Sequence, residues 1–416
     1  MNNSNYRIYF GFFLIYFTIS IFDAFFIIYI PLFYLRILNV DYGELAYIHI
    51  FTYLTLLVSP LLGFLYDRYV EREIQSKMIL YICCITLCGS FSIFILFKEI
   101  LLLYGIFVCV YFFSKSMIRT EMSGLFLSVV RESDDIKLKI ILLVNAATIT
   151  GYLAISLLFN FNVLNITSIK PWNSFFLLGW LTSFPIIFVG VIFNKNIQFF
   201  NEKIKAERSK INNPQNENSK YDILVIGILF ISFILANSDL LISYPLSSWI
   251  YDKFTETGFR IYSSLYFIFF ICSILGLYIA NSLCKKYNEK KMMCGSVYFY
   301  MILLILVTFS TFPMFMILNS ILSIILYIIS VSYTSLITEF SNKGKYGTFK
   351  FQFLQTSSSI ASIIFIPLGT FYFDVITVET LIIFSSLLIG ISGLLIMPTF
   401  LIDKGKKVKD QKDLVG

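Results

Sequence analysis

The stretch "GFLYDRYVERE", Gly63 to Glu73, puts two Arg, one Asp and two Glu into a chain that has just run for nearly twenty residues without a charge. Of the 416 residues, 58% are hydrophobic, 18% aromatic and only 14% charged, too few polar groups to cover a water-soluble globule. The charged knot therefore reads as a turn between two segments buried in lipid. A bilayer core of about 30 Å needs about 20 apolar residues per helix. Twelve such segments fit end to end: 8–35, 45–66, 77–98, 100–129, 139–160, 173–194, 222–250, 258–280, 291–312, 313–340, 350–373 and 380–402. They are too long for barrel strands, and backbone groups in lipid must bond within their own segment, so the expected class is an all-α polytopic membrane protein.

Charge then orients the chain. With the N-terminus in the cytoplasm, 25 of the 32 Lys and Arg fall on the cytoplasmic side, five (Arg36, Lys98, Lys170, Lys253, Arg260) fall outside, and Lys115 and Arg119 lie within a span. That bias predicts cytoplasmic N- and C-termini in a cell membrane. It also accounts for the net charge of +7 without a nucleic-acid partner. Trp172 and Trp249 are expected near the outer interface as part of an aromatic belt, and Asn165 begins an outward Asn-Ile-Thr sequon. The N-terminal run is too long for a signal-peptide core and reads as an uncleaved first helix. Seven Cys without paired-ligand spacing and one His support neither a disulfide framework nor a metal site, and no cofactor is implied. The absence of a phosphate loop or a repeated catalytic constellation argues against an enzyme or an ATP-driven pump.

The chain is written twice. "FDAFFIIYIPLFY" around Asp23 matches "SDLLISYPLSSW" around Asp239 at an offset of 216; Gly63–Arg72 matches Ala280–Lys290 at 217; "IRTEMS" matches "LITEFS" at 218. Two six-helix bundles are expected, 1–194 and 222–402, with a polar cytoplasmic linker at 195–221 and a solvated tail at 403–416. An even number of helices per unit makes the repeats parallel.

Twelve helices, a 6+6 repeat, a long central loop and a charged signature after the second span resemble the major facilitator superfamily of secondary transporters. Gly63, Leu65, Asp67, Arg68 and Arg72 match the superfamily signature, whereas Tyr66, Val70 and Glu71 depart from it, and Cys284 stands where the second copy would have its Asp. The resemblance implies a gating role for Gly63, Asp67, Arg68 and Arg72, with the second span latched to the eleventh on the cytoplasmic face. For Arg68 and Arg72, setting the topology is the competing reading. Because the second copy keeps only positive charge, gating is expected to be asymmetric.

Charges inside lipid cost about 2.5 to 3.5 kcal/mol each on insertion scales, so they mark water or partners. Asp23, Lys115, Arg119 and Asp239 fall near mid-span, in the first, fourth and seventh spans, which line the central cavity in the superfamily. Lys115 and Arg119 share a face at i, i+4 and could clamp a substrate anion or pair with carboxylates, and Asp23 and Asp239 are candidate proton-coupling acids. The alternative is a buried network that pins the bundle and never meets substrate. Glu121 points away from that face, Glu339 lies near the cytoplasmic end of the tenth span, and His49 is either a proton relay or an interfacial residue. Pro31 and Pro245 are expected to bend their helices near the outer ends. The expected activity is proton-coupled transport of a small organic solute, with a preference for an anion, by a monomer. A passive facilitator, a drug/proton antiporter and a non-transporting receptor or scaffold of the same fold are the alternatives.

Overall fold

The computed structural model describes residues 3–69, 73–130, 134–162, 169–184, 220–243, 245–246, 249–250, 253–254, 266–342, 346–372 and 375–413, and the description below is of these residues. They are helical nearly throughout. The first crossing is α1 (Asn3–Asp23), a π-helical stretch (Ala24–Tyr29) and α2 (Ile30–Arg36); the second is α3 (Tyr42–Leu54), a 3-10 turn (Thr55–Val58) and α4 (Ser59–Tyr69). Then come α5 (Glu73–Phe97), α6 (Leu101–Val130), α7 (Asp134–Asn162) and α8 (Ile169–Ser183). The second series is α9 (Lys220–Ala236) with a 3-10 turn (Ser238–Ile242), α10 (Tyr266–Cys284), α11 (Glu289–Thr308), α12 (Phe312–Ser341), α13 (Gly347–Tyr372) and α14 (Val378–Asp413).

Nine of the described stretches are long and apolar enough to cross a membrane, and two more, Tyr81–Phe97 and Ile268–Cys284, are apolar but shorter. With α8, the described part of the sixth span, all twelve expected segments are accounted for. The linker at 195–219, Asn165, Arg72 and Arg260 lie outside the described residues.

Within the first six segments α1 packs on α7, and α5 packs on α6 and α8. Within the second six, α10 and α11 pack on α12, and α14 packs on α9 and α11. The two sets meet along two seams, α13 against α3, α4 and α6, and α7 against α10 and α12. Lipid is as apolar as Leu, so these contacts draw on close packing, small residues and polar pairs rather than on escape from water. Phe22, Phe25, Phe26, Phe91, Phe94 and Tyr111 interlock at the centre of the first bundle, with ring centroids 4.8 to 6.2 Å apart. Phe51, Leu96, Leu102 and Phe161 turn outward instead, onto the surface that lipid covers.

Four local readings change. The helix irregularities sit upstream of the prolines: Ile27, four residues before Pro31, lies in the π stretch, and Leu241, four before Pro245, lies in the 3-10 turn. The proline ring clashes with the carbonyl at i−4 and leaves it without a donor, so the distortion appears one turn earlier. The ninth span ends at Thr308 rather than residue 312, because Pro313 takes the first turn of the next helix with Thr311 extended as its N-cap. The helix of the last span, α14, continues through the expected tail as far as Asp413. Trp172 is fully buried and Trp249 nearly so, which removes both from a lipid-facing belt. Trp172 packs edge-on or tilted against Phe33, Phe159 and Phe176, and the Trp249 indole N–H donates to Glu379 at 2.7 Å.

Candidate functional site

Tyr111, Lys115 and Arg119 lie at i, i+4 and i+8 on α6 and so present one face. That face meets Asp23 at the point where α1 gives way to the π stretch. The Lys115 ammonium and the Tyr111 hydroxyl both donate to Asp23 Oδ1, and the Arg119 guanidinium stands 4.0 Å from Oδ2. The Asp23 and Lys115 side chains are 6% and 5% exposed, against 39% for Arg119. The first two are thus spent on each other, while Arg119 reaches accessible space with a buried Nε that has no hydrogen-bond partner. One carboxylate faces two cations here, which leaves a single positive charge in excess.

The repeat-equivalent acid is placed differently. Asp239 lies in the 3-10 turn after α9 and accepts a 2.9 Å hydrogen bond from Tyr300 of α11, with the N–H of Leu240 beside it. Among the described residues no Lys or Arg reaches ion-pair distance of Asp239. The two acids therefore share a position at a helix irregularity but not a partner, and the structure does not bring them to one cluster.

Of the remaining candidates, Glu121 is buried on another face of α6 and Glu339 is exposed at the end of α12. His49 is not interfacial: it is 2% exposed, inside the first bundle between Tyr53 and Tyr104, with ring centroids 6.0 and 6.2 Å away.

Asp67 and Arg68 lie at the end of α4 on the side where the sequence places most of the Lys and Arg, called here the basic face. Asp67 accepts from the backbone N–H groups of Phe349 at 2.9 Å and Thr348 at 3.4 Å, in the first turn of α13. The first N–H groups of a helix have no partner inside it and carry its positive dipole end, so a carboxylate there satisfies both. Gly63 makes the approach feasible, since a Cβ at that position would lie 3.0 Å from the Thr348 carbonyl oxygen and 3.1 Å from Phe349 Cα. Arg68 is exposed.

Three further links join the two sets of helices. The Gln352 amide of α13 donates to Ser123 Oγ at 2.8 Å and to the Arg119 carbonyl at 3.4 Å. Asn145 Oδ1 of α7 accepts from Ser330 Oγ of α12 at 3.0 Å. At the basic face Lys137 pairs with Glu289 at 3.6 Å, and Glu289 Oε1 also accepts from Ser335 Oγ at 3.0 Å. Glu289 belongs to the loop read as keeping only positive charge. An acid of the second copy therefore does cross to the first bundle, from the first turn of α11, where Asn288 caps the helix by accepting from Lys290 N–H at 2.9 Å. The Asn-Glu pair opening an apolar run is a legible helix start, and Tyr111 was legible as the i−4 neighbour of Lys115. Gln352 and Asn145 carry no local signal.

Comparison with known proteins agrees with this architecture. Residues 224–414 match the family model described as Major Facilitator Superfamily. No curated protein matches the chain by sequence. Among solved structures, the human organic anion transporter MFSD10 (TETRAN) is similar with a TM-score of 0.70 and 12% identity, over 95% of this chain and 100% of that one. A bacterial homologue of the iron transporter ferroportin, in an outward-facing state with soaked iron, gives 0.69 and 12%, over 96% and 99%. The E. coli fucose:proton symporter FucP gives 0.60 and 13%, over 94% and 98%. At such identities the likeness concerns the fold. The second half thus matches the superfamily in sequence, the whole chain shares its fold with solved transporter structures, and its long apolar helices make it a multi-pass membrane protein.

Proposed function

We propose that the protein is a secondary transporter that moves a small organic anion by alternating access, with Arg119 as the group that receives the anionic end of the solute. The reading rests above all on the charge arrangement at Asp23: Lys115 meets that carboxylate directly, so the accessible guanidinium of Arg119 keeps a charge and a donor for an incoming carboxylate or phosphate. The likeness to an organic anion transporter accords with it. Lys115 then holds Asp23, and through it Arg119, instead of touching the solute.

Proton coupling is assigned to the carboxylates, with Asp239 first. A proton can join Asp239 without breaking an ion pair, because its partner is a hydroxyl, whereas protonating Asp23 must release Lys115. The basic face is the cytoplasmic one, with both termini there, in a cell membrane; the bundles divide at the polar linker between Asn194 and Asp222, and the carrier works as a monomer.

The test is a thermal-shift screen of the purified protein against classes of organic anions, repeated with Arg119→Ala and Arg119→Lys, followed by uptake into vesicles under an imposed pH gradient. Stabilisation by an anion that Arg119→Ala abolishes, together with uphill uptake that Asp239→Asn abolishes, is the expected result. Equal stabilisation of wild type and Arg119→Ala by the same anion would remove Arg119 from the site. A pH response unchanged in both Asp23→Asn and Asp239→Asn would remove the coupling assignment.

A further inference from the structure

We propose that Gln352 and Asn145 are the inner gate of the carrier, two amide bolts that close the pathway, Asn145 level with Arg119 and Gln352 on its basic-face side, and that Gln352 also positions Arg119; this rests on reading the chain as a transporter.

Each bundle contributes one amide, and each amide reaches the other bundle. Gln352, 2% exposed, extends from α13 to α6; Asn145, 9% exposed, extends from α7 to α12. At about 1.5 Å per residue, Asn145 lies about 16 Å into α7 from Asp134, Arg119 lies about 16 Å before the end of α6 at Val130, and Gln352 lies about 8 Å into α13 from Gly347. One bolt is therefore level with Arg119 and the other lies between Arg119 and the basic face. Lys137–Glu289 and Asp67–Phe349 close the same side nearer the surface.

Strength suits a moving part. Polar contacts between membrane helices are individually weak, so such bonds can break and re-form in every cycle. Their amides, once separated, would be costly in lipid but face the opened, wet path instead. Gln352 is well placed to coordinate the motion. It sits one turn beyond Thr348 and Phe349, whose N–H groups bind Asp67, its Cγ would be 3.2 Å from a Cβ at Gly63, and its Nε2 bonds the carbonyl of Arg119. When α13 leaves α4, the same turn releases the backbone of Arg119, so gate and binding group change together.

The experiment measures opening without any solute. In protein whose native cysteines are replaced, spin labels on Lys139→Cys and Glu339→Cys, both exposed at the basic face, report one end; labels on Phe161→Cys and Val375→Cys, both exposed at the other end, report the opposite one. Distances are compared by double electron–electron resonance in lipid nanodiscs for wild type, Gln352→Met, Asn145→Leu and Ser123→Ala. The expected result is a longer distance at the basic face and a shorter one at the far end in each variant, with Ser123→Ala reproducing Gln352→Met, because it removes the acceptor and leaves the amide. Wild-type distances in Gln352→Met and Ser123→Ala, even with a lower melting temperature, overturn the gate and leave a packing role. No solute is present, so that outcome is separate from a failure of the anion-binding test at Arg119.

Discussion

Asp67 and Phe349, 282 residues apart in the chain, are joined by a 2.9 Å hydrogen bond from the Phe349 backbone N–H to the carboxylate. A charge at a helix N-terminus contributes about 0.3 to 2 kcal/mol depending on burial. Asp67→Asn keeps the shape and removes the charge. Reduced uptake with normal membrane expression is the expected outcome in a vesicle assay, and wild-type rates would sink the latch.

Gly63 tests the same contact by size. Gly63→Ala places a methyl group 3.0 Å from the Thr348 carbonyl oxygen, closer than side chains ordinarily come, and α13 must shift by a few tenths of an ångström. Gly63→Leu asks for far more room. Uptake should fall in that order, and hydrogen exchange at the N–H groups of residues 348 and 349 should rise in parallel. Equal exchange in all three proteins would mean that the glycine is not what permits the approach.

Removing Lys115 leaves a buried carboxylate with a hydroxyl and a more distant guanidinium. Breaking a buried pair on one side costs about 3 to 5 kcal/mol, while replacing both members by apolar or neutral groups is often close to neutral. Lys115→Met should therefore lower the melting temperature more than the double variant Asp23→Asn/Lys115→Met does. Additive losses would show that the two side chains do not stabilise the bundle as a pair.

The Lys137–Glu289 contact is partly exposed, with Glu289 at 28% and Lys137 at 11%. Pairs of this kind contribute about 0 to 1 kcal/mol and weaken with salt. Glu289→Gln should change stability little but favour opening at the basic face, measured as distance between labels on α7 and α11 at low salt. The exchange Lys137→Glu/Glu289→Lys should restore the closed distance; a swapped pair that stays open would exclude an electrostatic role.

That the chain crosses a membrane in many helices was legible from hydropathy along the sequence, because hydropathy and charge act on each residue separately against lipid and water. They are enough to find twelve spans, to see the chain repeat itself across the polar break near residue 200, and to pick out Asp23, Lys115, Arg119 and Asp239 as costly enough to require partners. Only the tertiary structure decided what those partners are. Asp23 has Lys115 and Asp239 has Tyr300, although the repeat makes the two acids equivalent; Trp172 is buried although its place in the sequence suited an interface; and Glu289 crosses to Lys137 from a loop that reads as basic. A hydrogen bond or ion pair depends on two groups at once, and the packing that brings α6 to α1, or α13 to α4, has no period along the chain from which it could be read.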